Sequence, residues 1–122
     1  MIVGLDHVQV AAPAGCEDEA RVFYGGLLGL EEIGKPPLLA PRGGVWFRVG
    51  DQQLHVGVTE PFRAATKAHP ALRVSSAAAL ERLAARLEAH GFAVTWPASD
   101  EIPGTLRLHV GDPWGNRIEL VA

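Results

Sequence analysis

Four residues of the 122-residue chain carry side chains suited to metal or proton chemistry at spacings that repeat: His7, His55, His69 and Glu119. Each sits in an alternating polar/apolar segment, and a period of two turns such residues to the face opposite their apolar neighbours. His7 and His69 are 62 positions apart, and His55 and Glu119 are 64 apart. Imidazoles and a carboxylate converging on one face are costly to desolvate without a partner. A divalent ion satisfies them together, and iron, manganese, nickel, cobalt and zinc all accept this ligand chemistry. Trp46, Arg48, Arg107 and His109 share the strand parity of these groups. They are candidate substrate contacts: Trp46 as an apolar wall, the other three as positioning groups for anions. His109 has a plainer reading as a solvated strand residue, and His90 fits a helix C-terminus, where a cation is favoured.

The elements that must position these groups follow from hydrophobic periodicity. Leu5 to Ala11 alternates as a strand, and Glu17 to Leu28 bears a helical stripe of Ala20, Phe23, Tyr24, Leu27 and Leu28. Gly29 stops that helix. A short strand is predicted over Leu30 to Ile33, then strands over Val45 to Val49 and Leu54 to Val58 joined at Gly50-Asp51. The pattern then restarts. A strand is predicted over His69 to Val74, with Pro70 near its start. Ser75 and Ser76 precede a helix striped by Leu80, Leu83, Ala84 and Leu87, which Gly91 ends. Strands over Phe92 to Trp96, Thr105 to Val110 and Arg117 to Val121 complete the second set.

Strand, helix and three strands therefore occur twice, which predicts an α+β fold of two tandem βαβββ modules, the first over about residues 1–60 and the second over about 67–122. Gly29 and Gly91 correspond at an offset of 62, and Val49-Gly50-Asp51 recurs as Val110-Gly111-Asp112 at an offset of 61. Modules paired by a pseudo-twofold axis would form one domain, a curved mixed sheet around a central cavity that the four metal-binding candidates line.

Composition narrows the alternatives. With 48% hydrophobic and 20% charged residues, the chain is an ordinary folding sequence. A net charge of −3 provides no basic surface for nucleic acid or membrane. No apolar run approaches membrane-spanning length, and Cys16 stands alone, so a cytoplasmic protein without a disulfide framework is expected.

Leu5-Asp6-His7-Val8, Phe23 to Leu30, His69-Pro70-Ala71-Leu72 and Asp112 to Leu120 resemble, in order and spacing, the vicinal oxygen chelate superfamily. That superfamily includes glyoxalase I, fosfomycin and bleomycin resistance proteins and extradiol dioxygenases. The resemblance implies metal ligands at His7, His69 and Glu119. It adds His55 where the first module often supplies another ligand, here either a ligand or a group that hydrogen-bonds to one. It also implies a homodimer. Glyoxalase I has glutamates on both sides of its metal, whereas this chain has one, which counts against that activity.

The function expected is a metal-dependent lyase, isomerase or dioxygenase whose small substrate chelates the ion through adjacent oxygens. Glu119 or metal-bound hydroxide would be its base. The alternative is a non-catalytic small-molecule binding or sequestering protein of the bleomycin resistance type, with the tryptophans lining its groove.

Overall fold

A computed structural model describes residues 1–122. The chain divides into two compact units, Met1–Ala64 and Ala65–Ala122. The first contains β1 (His7–Ala12), α1 (Glu17–Ala20), which runs on as a π-helix over Arg21–Leu27, β2 (Glu31–Ile33), a 3-10 turn over Ala40–Arg42, β3 (Val45–Val49) and β4 (Gln52–Val58). The second contains β5 (Ala71–Arg73), α2 (Ala77–Ala89), β6 (Val94–Thr95), β7 (Arg107–Gly111) and β8 (Arg117–Val121). Each unit is thus a βαβββ module with a four-stranded mixed sheet, ordered β1-β4-β3-β2 in the first and β5-β8-β7-β6 in the second. The outer parallel pair, β1 with β4 or β5 with β8, is made possible by the helical crossover between β1 and β2 or between β5 and β6. No helix is long and apolar enough to cross a membrane.

The strand register shows how the modules correspond. Gln9 pairs with His55 and His55 with Trp46; in the second sheet Ala71 pairs with Glu119 and Glu119 with His109. Matching these rows keeps the offset of 62 between β1 and β5 and of 64 between β4 and β8, but aligns β3 with β7 at 63. The Gly-Asp dipeptides expected to correspond at 61 therefore do not. Gly50-Asp51 is the two-residue turn after Val49, whereas Gly111 is still in β7 and pairs with Arg117. Backbone pairing continues from there through Asp112 N–H to the Asn116 carbonyl, 2.8 Å, so the second turn is one residue longer.

Burial follows the alternation. Val45, Phe47, Leu54 and Val56 turn inward onto Ala20, Phe23, Tyr24 and Leu27 in the first unit, all at 5% exposure or less. Phe23 and Tyr24 meet edge to face at 4.9 Å. Leu108, Val110, Ile118 and Leu120 form the buried layer with Leu80, Ala84 and Leu87 in the second. Each such large side chain removed from water contributes about 1.5–3 kcal/mol.

Three local features depart from expectation. The first helix widens after one turn: Leu28 N–H reaches the Phe23 carbonyl at 2.9 Å, five residues back. The adjacent glycines Gly25 and Gly26 weaken the ordinary ladder there, since glycine gains least from helical order. β5 is shorter than the predicted strand, and His69 and Pro70 lie before it because proline has no N–H for the ladder. β6 is likewise reduced to two residues. The second helix starts as expected, with Ser76 Oγ accepting the Ala79 N–H at 3.1 Å.

Candidate metal centre

Within the second unit, one row of cross-strand neighbours runs Thr95, His109, Glu119, Ala71 over β6, β7, β8 and β5. His69 precedes Ala71 by two residues and brings its ring to the same carboxylate. Glu119 is the centre of this group. It is 8% exposed, and its Oε1 accepts from Arg107 Nη1 at 2.6 Å and from His109 Nε2 at 2.8 Å. Its Oε2 lies 3.9 Å from His69 Nε2. The rings of His69 and His109 are edge to face at 5.5 Å. Burial pushes the Glu119 carboxyl upward, but hydrogen bonds and charge from Arg107 and His109 outweigh it and hold the group below the usual glutamate range. Glu119 is therefore an anion near neutral pH.

This donor set fits a divalent ion. One ligand atom from each of His69, His109 and Glu119 lies within 4.8 Å of the others. Two ligands of one ion at about 2.1 Å stand about 3–3.5 Å apart, a closure that small side-chain rotations supply. His69 Nδ1 donates to the Lys67 carbonyl at 2.8 Å, which leaves Nε2 as the ring nitrogen that faces Glu119. A histidine fixed through one nitrogen to a backbone carbonyl is a prepared metal ligand through the other.

The first unit has a different group at the corresponding positions. His55 is sandwiched between Trp46, with ring centroids 3.7 Å apart and planes 2° apart, and His7, with centroids 4.2 Å apart. His55 Nε2 meets Gln53 Oε1 at 2.8 Å, and His7 Nδ1 meets Asp6 Oδ1 at 2.7 Å. These contacts engage one nitrogen of each ring and leave His7 Nε2 and His55 Nδ1 as the other ring nitrogens. Burial, then the neighbouring His7, pushes the His55 pKa down. His55 is consequently neutral when folded at a pH where it would be charged unfolded. Its depressed pKa makes stability complete above the ordinary histidine range and lowers it as pH falls through the folded value. His55→Gln is expected to flatten that decline in urea melts recorded between neutral and mildly acidic pH; an unchanged decline would contradict it.

The residues expected from sequence thus fall into two groups. His7, His55 and Trp46 stack together within residues 1–64, and His69, Glu119, Arg107 and His109 meet within residues 65–122. Arg107 is bound to Glu119 and also to Glu101. Arg48 joins neither group, since it pairs with Glu31 at 3.4 Å on the exposed β2–β3 ladder. His109, read from the sequence as a substrate contact or a solvated strand residue, belongs to the donor set. The register signals this, because His109 stands directly opposite Glu119.

Comparison with known proteins accords with this architecture. The family model for the Glyoxalase/Bleomycin resistance protein/Dioxygenase superfamily matches residues 4–120. The chain belongs to that superfamily, the vicinal oxygen chelate proteins. Among solved structures, a glyoxalase family protein from Bacillus anthracis is 46% identical with a TM-score of 0.90, over 99% of this chain and 95% of that one. Lactoylglutathione lyase from Agrobacterium tumefaciens is 23% identical with a TM-score of 0.72, over 97% and 92% of the two chains. A fosfomycin resistance protein from Listeria monocytogenes is 18% identical with a TM-score of 0.78, over 100% and 94%. The last two share the fold. No curated protein matches the chain.

Proposed function

We propose that the protein is a metal-dependent enzyme whose small substrate chelates a divalent ion through two adjacent oxygens. The observation that carries this reading is the convergence of His69, His109 and a buried, ionised Glu119, with the His69 ring already fastened through Nδ1. The family resemblance adds His7 as a proposed ligand and His55 as a ligand or a support for one, with residues 1–122 acting as one domain in a homodimer. Bound at this centre, a divalent ion supplies Lewis-acid stabilisation of an oxyanion on the substrate. Glu119 takes a proton from the substrate, and Arg107, hydrogen-bonded to the same oxygen, holds that carboxylate in place. Stabilisation of this kind would serve isomerisation, addition or oxygenation alike.

The chelation is tested by water-proton relaxation of the Mn2+-loaded chain. Catechol, with adjacent oxygens, is expected to displace exchangeable water from the ion, and resorcinol, with separated oxygens, is not. Equal effects of the two compounds would contradict chelation. Catechol binding of equal strength with and without metal would favour a ligand-sequestering protein instead, a reading to which the exposed edge of the Trp46–His55–His7 stack lends itself.

A further inference from the structure

The second unit has a cavity of about 250 Å³ lined in part by His109, and none of its other lining residues has a part in the reaction proposed above. Its lining includes Thr66, Thr95, His109, Gly111 and Arg117, and no acidic side chain. Thr95 is the cross-strand neighbour of His109, and Gly111 is that of Arg117, so the cavity spans two successive rows of the sheet. Gly111 forms open floor: a Cβ there would meet nothing closer than Gly115 Cα at 3.9 Å. Thr66 is held at the rim by its neighbour Ala65, whose N–H donates to Asn116 Oδ1 at 3.0 Å and whose carbonyl accepts the Arg117 N–H at 2.8 Å.

Arg117 is the distinctive member. It is half-buried and lies two residues before Glu119 in β8, yet no carboxylate pairs with it, whereas Arg107 is bound to two. A guanidinium held in a concave site without a counter-charge, flanked by two threonines, is chemically a receptor for an oxyanion.

We propose that Arg117, with Thr66 and Thr95, binds an anionic group of the substrate, a carboxylate or similar oxyanion, in the cavity beside His109. This rests on the metal-dependent reading of the adjoining centre. It narrows the substrate class to small organic acids that present an oxyanion a few bonds from their chelating oxygens. Arg117 is then a specificity-determining residue, and Gly111 is the vacancy that admits the acid group.

The test titrates the full chain, without metal and again with Zn2+, with acetate and with methylphosphonate, following the amide resonances of Thr95 and Gly111. Saturable shifts are expected with at least one probe. Arg117→Met is expected to weaken that binding about tenfold or more, the loss of a charge-assisted hydrogen-bonding partner. Gly111→Val, which keeps the arginine but fills the floor, is expected to weaken it similarly while leaving the amide spectrum otherwise native. No saturable shift in the wild-type chain, or equal binding by both variants, would overturn the proposal. Because the metal-free chain is titrated too, failure of the anion site and failure of the metal centre are separate results.

Discussion

Glu119→Gln is expected to weaken divalent-metal binding about a hundredfold or more while leaving the fold intact. Loss of a group that merely supports a metal ligand costs about 10–100-fold in affinity, and Glu119 is proposed as a ligand itself. The amide matches the carboxylate in shape but removes the only anion among the three donors, and anionic oxygen is what attracts a divalent ion into a site that also contains Arg107. The substitution also leaves Arg107 without its 2.6 Å acceptor, so the guanidinium adds repulsion that the native carboxylate offsets. Isothermal titration with Zn2+ or Mn2+, beside far-UV circular dichroism of the metal-free proteins, checks both parts. A Glu119→Gln protein that binds metal like the wild type would remove Glu119 from the centre. His109→Gln separates the donor set identified in the structure from the set expected by family resemblance: a loss of affinity is expected if His109 is a ligand.

Asp112→Ala is expected to cost about 3 kcal/mol of stability, because hydrogen bonds to a buried charge are each worth about 1.5–3 kcal/mol and their orphaned donors are penalised further. The Asp112 side chain is 5% exposed. Its Oδ1 accepts the Trp114 N–H at 3.0 Å and the Asn116 N–H at 2.9 Å, and its Oδ2 accepts Asn116 Nδ2 at 2.9 Å. Asn116, 1% exposed, passes the constraint on to Ala65 through its Oδ1. The network therefore sets the β7–β8 turn, and with it the register that places Glu119 opposite His109 and Arg117 opposite Gly111. A drop in Tm of about 10–15 °C is expected for a domain of this size. Asp112→Asn, which keeps acceptor capacity at one oxygen, should lose less. A Tm within about 2 °C of wild type for Asp112→Ala would show that the turn is fixed by something else.

The network also shows why some of the fold was legible in the sequence and some was not. Val45 to Val49 and Arg117 to Val121 were predicted to the residue, because each alternates cleanly over a face that is buried on one side. The helix over Ala77–Ala89 was announced by its serine cap and leucine stripe, and Gly29 and Gly91 by the positive φ that each adopts after its helix. The widening at Arg21–Leu27 was not legible, because an α- and a π-helical turn bury nearly the same stripe and differ only in which carbonyl each N–H selects. The shortened β5 and β6 reflect the balance between ladder pairing and local turns, to which side-chain alternation is blind.

Parity placed Glu119, His69, Arg107 and His109 on consistent faces, yet it could not tell which of them touch. Contact depends on strand neighbours, and β8 lies between β5 and β7 only because the helical crossover returns the chain to the edge of the sheet. That order brings His109 and Glu119 together and leaves Arg48 on an outer ladder with Glu31. The anion-binding candidate Arg117 was available by the same parity, two residues before Glu119, but its significance appears only when the cavity and the missing counter-charge are seen together. The repeat likewise hid a contrast. Equivalent positions hold a pile of three aromatic rings in one module and a carboxylate with its cationic and imidazole partners in the other. The scaffold repeats while the two rows carry different chemistry.

The most direct measurement is the metal content of anaerobically purified wild-type protein beside His69→Ala, repeated after reconstitution with Fe2+, Mn2+, Ni2+, Co2+ and Zn2+. About one ion per chain in the wild type, lost in the variant, is the predicted result, as expected for a centre with imidazole and carboxylate ligands. No stoichiometric ion in either protein under any of these conditions, or equal metal content in both, would contradict the metal centre on which the proposed function depends.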